Sequence, residues 1–352
     1  MKYKSMITVN LTDEKYTDET IKDISQSIIR ILGRSKLKTR SRPDYICIYA
    51  DDDEKNSLVS CAIISSPEDM KKADDYLKSK TAVQEYQNIM ETERVRQLIA
   101  DAIKTDRVAI FFQPIYSIKK KKFVSAEILA RIIQENGIII PPSEFIPVAE
   151  KTGQIHELEG IILEKTCTFM KKHPLKQMGL KYLEMNLSVK TGECSNLSEK
   201  YAASMKRHNI RPEQLNLEIT ETASASQKRK LVNNMHALIR QGFSFSLDDF
   251  GSGESNLNYV IDMPVSTIKF DMDMTKAFME NEKAQIVMSS VVNMAHELGF
   301  QTIAEGVEDF KTFSRMKEIG IDCIQGYLFS RPVPEQEFID FIKEHNREEE
   351  HV

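Results

Sequence analysis

The chain has 352 residues, with 48 lysines and arginines against 53 aspartates and glutamates, giving a formal net charge of −5. This balance lacks the basic surplus of a protein that binds DNA or RNA polymers, while 41% hydrophobic residues are ample for a buried core. No apolar run approaches the ~18 residues of a membrane-spanning helix, and the opening MKYKSMITVNLTDEKYTDE turns acidic too early for a signal peptide. A soluble, cytoplasmic protein with no transmembrane segment is expected. The five cysteines, Cys47, Cys61, Cys167, Cys194 and Cys323, are odd in number and never form C-x-x-C, which argues against a disulfide framework or a thiolate zinc site.

Residues 1–81 read as a small α/β domain. MITVNL alternates like a strand, ETIKDISQSIIRILG has helical spacing, and DYICIYA and SLVSCAII form two further strand candidates. Residues 82–104 have helical periodicity, many charges and no glycine or proline, as expected of a connecting helix, and the pattern also suits pairing with a second copy in a homodimer. From residue 105 to 346 the rhythm changes to short apolar runs alternating with helical segments. The runs are VAIFFQPIY, FVSAEILAR, YLEMNLS, LNLEITE, FSFSLDDF, STIKFD, QTIAEGV and DCIQGYLF. Such alternation predicts βα units and a parallel sheet. About eight strands in ~240 residues match a (β/α)8 barrel. Four lysines at 119–122 read as a solvated turn between two strands, and residues 347–352 as an acidic tail.

The polar residues fall where the apolar runs end, at Glu127, Asn186, Glu218, Asp248 with Asp249, Lys269, Glu305 and Gln325. In a barrel, strand ends converge on one face, where the active sites of this fold sit. So many carboxylates brought together would repel one another strongly without cations, and hard oxygen donors suit Mg2+ or Mn2+ rather than zinc. The adjacent aspartates are expected to point in opposite directions at the end of their strand and so serve neighbouring ions.

These residues also carry a resemblance. QPI (113–115), EILAR (127–131), EFIPVAEKTG (144–153), NLS (186–188), EITE (218–221), DDFGSG (248–253), IKFD (268–271), AEGVE (304–308) and QGYLFSRPVP (325–334) together resemble the EAL-domain family in order and spacing. The resemblance implies a modified TIM barrel that hydrolyses cyclic di-GMP to the linear dinucleotide pGpG with two divalent ions. It implies that Glu127, Asn186, Glu218 and Asp248 hold one metal, and Asp248, Asp249 and Glu305 the other. Lys269 would position the attacking water, Glu305 would serve as base, and Gln325 and Glu308 would complete the surroundings of water and metal. Arg131 and Gln113 would contact substrate, and Glu221 would hold the loop after DDFG. The sequence departs from the family at Ile128 and at Glu254, Ser255 and Asn256. An extra carboxylate in that loop bears on substrate binding and dimer coupling. The competing reading is a weakly active or silent domain that serves as a cyclic di-GMP receptor or a protein-interaction module. By the same resemblance the N-terminal domain is a shrunken relative of the GGDEF domain that lacks its signature, with a regulatory or dimerising role.

Overall fold

The computed structural model describes residues 80–220, 225–251 and 257–346. The small N-terminal domain, its GGDEF-like reading and the acidic tail lie outside the described residues, as do Glu221 and the departures at Glu254, Ser255 and Asn256. Residues Ile99–Val352 form one compact unit.

Helix α1, Lys80–Lys104, is continuous, as its charged, glycine-free sequence predicts. Its last turns bury Ile99 and Ala102 completely. The barrel follows with β1 (Val108–Ser117) and β2 (Lys122–Ile133), then a short β3 (Ile139–Ile140). Helices α2 (Pro142–Thr152) and α3 (Ile155–Lys172) lead to β4 (Tyr182–Asn186). Helices α4 (Val189–Gly192) and α5 (Leu197–His208) precede β5 (Leu215–Thr220), and α6 (Ala225–Ile239) precedes β6 (Ser244–Phe250). The remainder comprises α7 (Leu257–Asp262), β7 (Thr267–Phe270), α8 (Met272–Glu280), α9 (Glu282–Glu297) and β8 (Gln301–Ala304). It ends with α10 (Phe310–Glu318), β9 (Cys323–Gln325) and α11 (Glu335–Asn346).

Eight of these strands close a barrel in the order β1, β9, β8, β7, β6, β5, β4, β2, with β2 pairing back to β1 and β3 attached to the outside of β2. From β4 to β9 all neighbours are parallel, and β2 is parallel to β4. The expectation of a wholly parallel sheet fails at β1, which is antiparallel to both β2 and β9. The reason is local. Only a turn of a few residues, with Lys119, Lys120 and Lys121 exposed, separates β1 from β2, and parallel strands need a crossover of a dozen residues or more. The lysine run is therefore a hairpin turn, with Lys122 opening β2.

Helices cover the barrel through apolar residues on alternate strand positions, including Leu217, Ile219, Leu247 and Ile268, all fully buried. On the β1 side, the rings of Phe112, Phe169 and Phe338 join β1 to α3 and α11, with centroids 4.3 and 4.8 Å from Phe112. Such aromatic contacts add to area burial and fix the helices on the outside. Cys167 and Cys323 are buried free thiols.

Candidate active site at the C-terminal end of the barrel strands

Strand alternation puts Glu127, Glu184, Glu218 and Lys269 inside the barrel. Register aligns them: Glu127 pairs with Glu184 across β2 and β4, and Asn186 with Glu218 across β4 and β5. Lys269 on β7 is the centre of the cluster. Its Nζ lies 2.6 Å from Glu218, 2.7 Å from Glu305, 3.4 Å from Asp248, 3.6 Å from Glu127 and 4.0 Å from Glu184. The side chain is 0% exposed. Burial alone would lower its pKa, but the surrounding carboxylates outweigh that and raise it well above the ordinary lysine value. Lys269 is therefore a fixed cation.

The carboxylates are raised as well, which in their case disfavours the charged form. Burial pushes the Glu305 carboxyl up to about 8, with Lys269 opposing and Asp248 and Glu127 adding to the shift. Glu218 and Asp248 are also raised, first by burial. Asp249, more open, is pushed up to about 6 by burial and by the charges of Asp248 and Asp271. Both oxygens of Glu218 and Oδ1 of Asp248 are buried without a well-directed hydrogen bond. Under-satisfied buried carboxylates are costly, and a bound cation removes the cost.

Asp248, Asp249 and Glu305 offer ligand oxygens that all lie within 4.8 Å of one another. The two aspartates do not diverge at the end of a strand, as the sequence pattern predicts. Strand β6 runs on to Phe250, and the β6–β7 register slips between Leu247 and Phe250, so that Asp248 and Asp249 stand opposite the single residue Lys269 in the pairing and their carboxylates converge with that of Glu305. This is a β-bulge, which inserts one residue and re-aims its neighbours. Asp249 takes the left-handed conformation the bulge needs, with φ +56°. Aspartate tolerates that region better than most residues. The donor set is hard oxygen with one amide, and fits a divalent cation such as Mg2+ or Mn2+.

Amides brace Glu127. Asn186 donates from Nδ2 to Oε1 at 2.9 Å, and Gln325 donates from Nε2 to Oε2 at 2.5 Å. Gln325 also reaches Gln113 at 3.1 Å, and Gln113 donates to the Ser330 carbonyl at 3.2 Å. Gly326, just after β9, fits against the loop that follows Glu305, where a Cβ would stand 2.1 Å from the Val307 carbonyl oxygen. Only glycine permits that approach.

A cavity of about 640 Å3 opens over the cluster, lined by Gln113, Glu127, Asn186, Asp248, Asp249, Glu305, Glu308 and Gln325 among others. Apolar walls come from α2 and α3 through Ile146, Pro147, Ile155 and Ile162. Glu308 is exposed on the rim and makes no ion pair with the cluster. Arg131 does not line the cavity. Its guanidinium donates to the Ala130 carbonyl at 2.8 Å and lies over the Phe111 ring at 5.4 Å.

Three acids near the site have no role assigned from the sequence: Glu184 and Glu159 lie outside the motifs, and Glu150 lies within EFIPVAEKTG. Glu184 is fully buried beside Lys269 and Glu218, and neither of its oxygens has a well-directed hydrogen bond. The period-two alternation running back from Asn186 marks it. Glu159 on α3 is 5% exposed and accepts from the Ser188 backbone N–H at 2.6 Å. Glu150 accepts from the Ser188 hydroxyl at 2.5 Å. These two come from helices distant in sequence from Ser188, and no local pattern marks their contact with it. Together they hold the turn after Asn186, where the Ser188 side chain caps α4.

Among curated proteins, the chain is 31% identical over 303 residues to the signaling protein YkoW of Bacillus subtilis, covering 81% of this chain and 38% of that protein. It is 30% identical over 233 residues to the cyclic di-GMP phosphodiesterase RocR of Pseudomonas aeruginosa, covering 66% of this chain and 59% of RocR. The chain thus spans less than two thirds of either relative. Its fold matches the solved structure of the PaMucR phosphodiesterase in complex with c-di-GMP, with a TM-score of 0.65 and 25% identity over 70% of this chain and 99% of that one. The barrel with one reversed strand, and the acids collected at its mouth, lie within residues 96–332, the span matched by the EAL domain profile. Since that span is more than half of the chain, the protein belongs to the EAL domain family.

Proposed function

We propose that the protein hydrolyses cyclic di-GMP to linear pGpG with the help of two divalent cations, Mg2+ or Mn2+. The observation that carries this reading is the convergence of Asp248, Asp249 and Glu305 within 4.8 Å beside the buried ammonium of Lys269. A phosphodiester is anionic and resists attack by water. Bound cations would supply charge neutralisation for the phosphate and a water acidic enough to lose its proton near neutral pH.

The chain's own residues take defined parts. Glu127, Asn186, Glu218 and Asp248 hold one cation, and Asp248, Asp249 and Glu305 hold the second. Lys269, permanently charged, donates a hydrogen bond that orients the attacking water. Glu305, beside Lys269, would accept that water's proton. The new P–O bond forms as the ester P–O bond opposite it breaks, leaving a 5′-phosphate and a free 3′-hydroxyl. Gln325 and Gln113 keep Glu127 turned toward the cations, and Gln113 meets the substrate from the cavity wall. Glu308 acts from the rim. Arg131 turns from the Ala130 carbonyl to meet a substrate phosphate with its planar fork. Glu221 holds the loop after DDFG. We infer further that the protein works as a cytoplasmic homodimer, with residues 1–81 in a regulatory or dimerising role.

The test is incubation of the purified chain with cyclic di-GMP and Mg2+ or Mn2+, across protein concentration, followed by chromatography. Appearance of pGpG supports the reading. Stoichiometric binding of cyclic di-GMP without pGpG overturns it in favour of a receptor.

A further inference from the structure

The barrel interior carries one more anion than the cation sites use. Nζ of Lys269 has five carboxylates within 4.0 Å, namely Glu127, Glu184, Glu218, Asp248 and Glu305. In the function proposed above, on which this inference rests, four of the five are cation ligands. The exception is Glu184. It is 0% exposed, neither oxygen has a well-directed hydrogen bond, its carboxyl lies against that of Glu218, and Lys269 is the one cation within 4.0 Å of it among the described residues. A buried carboxylate set against a second carboxylate is among the most expensive groups a fold can hold. A leucine or serine on the same strand would avoid that cost.

The arrangement has a direct electrostatic sense. Lys269 makes its shortest contacts with Glu218 and Glu305, at 2.6 and 2.7 Å. Both carboxylates must turn toward cations for those to bind, and the ammonium then faces added positive charge with nothing to hold it. Glu184 stands on β4 in register with Glu127, one alternation before Asn186, and carries none of the cation load. We propose that Glu184 is a positioning residue, the dedicated counter-ion that holds Lys269 in the barrel interior while Glu218 and Glu305 are given over to cations. Without it, the ammonium competes with the cations for those two carboxylates.

Mn2+ affinity, measured by calorimetry or by loss of the free-ion electron paramagnetic signal, tests this without reference to turnover. Glu184→Gln keeps the shape and removes the charge. It is expected to weaken Mn2+ binding about tenfold, at the lower end of what groups behind metal ligands contribute. Glu184→Asp keeps the charge and is expected to stay within threefold of wild type. A packing role would instead move both variants together. The same Glu184→Gln change is then made in a Lys269→Met background, where a residue acting through Lys269 should have less than a threefold effect. The proposal is overturned if Glu184→Gln binds Mn2+ within threefold of wild type, if Glu184→Asp is as weak as Glu184→Gln, or if the tenfold loss persists without Lys269. Thermal melting in chelator verifies that each variant is folded. A wild-type chain that binds no Mn2+ overturns the proposed function itself. One that binds Mn2+ but ignores Glu184→Gln overturns this inference alone.

Discussion

Nζ of Lys269 and Oε1 of Glu218 are 2.6 Å apart in the barrel interior, and neither side chain has any solvent exposure. A buried pair is costly to assemble, but removing one partner is costlier because it strands the other charge. Lys269→Met is therefore expected to destabilise the metal-free protein by about 3–5 kcal/mol, read by urea unfolding in chelator. Added Mn2+ should raise the melting temperature of this variant more than that of wild type. An equal response would show that Lys269 and the cations do not compete for the same carboxylates.

Glu127 on β2 and Asp248 on β6 lie 3.6 and 3.4 Å from Nζ of Lys269, and each is a ligand in the proposed mechanism. Glu127→Ala or Asp248→Ala should lower turnover of cyclic di-GMP by at least about 100-fold. A fully active Glu127→Ala enzyme would overturn the assignment of the site.

Asp249 combines a charge with a left-handed backbone at φ +56°. Two substitutions separate these roles. Asparagine suits the backbone but removes the charge, so Asp249→Asn should weaken Mn2+ binding and leave the melting temperature near wild type. Valine suits neither, and Asp249→Val should cost a further ~1–2 kcal/mol of stability. Equal stability of the two variants would argue that the bulge imposes no strain.

Burial raises the Glu159 carboxyl to about 8, against a lesser pull downward from Thr191 and the Ser188 N–H. Its ordinary value is 4.5, so between pH 4.5 and 8 the folded chain holds a proton that the unfolded chain has lost. Stability from this group is full below that window and falls as pH rises through it, by up to about 1.4 kcal/mol per unit. Glu159→Gln cannot lose a proton, so its stability relative to wild type should grow from pH 5 to pH 8. A constant difference across that range would show that Glu159 is ionised in the fold.

The contact at Gly326 is backbone against backbone, with a Cβ falling 2.1 Å from the Val307 carbonyl oxygen and 2.5 Å from its nitrogen. No rotamer relieves it. Gly326→Ala should cost about 3 kcal/mol and displace Gln325, seen as weaker Mn2+ binding. Wild-type stability in this variant would mean that the loop after Glu305 can move away.

Much of this site is legible in sequence because strand ends in a barrel converge, so that single residues such as Glu218 and Lys269 announce themselves by interrupting apolar runs. Alternation also marks Glu184, although its motif draws attention to Asn186 instead. The bulge is different. DDF reads as the end of a strand, and only the pairing with β7 shows the bulge that lets both aspartates converge with Glu305. Pairing partners lie far apart in the chain, and one extra residue leaves no local signature. The contacts of Glu150 and Glu159 are unreadable for the same reason, since each reaches Ser188 from a separate helix. Arg131 shows a further limit: its position on β2 is readable, but the Ala130 carbonyl and the Phe111 ring that engage its guanidinium are not.

The reversal of β1 has a topological consequence. Val108 pairs with Ile132, near the end of β2 at which the cavity opens, and Ser117 with Lys122 at the far end. A parallel first strand would bring the chain in at the closed end of the barrel, about 33 Å away for a strand of this length. Instead, residues 99–107 deliver the chain to the rim of the cavity, where the Arg107 carbonyl accepts from the Ile133 N–H at 2.9 Å, two residues beyond Arg131. A twist or pull on residues 99–107 would be applied beside the cavity rim, without having to cross the barrel first.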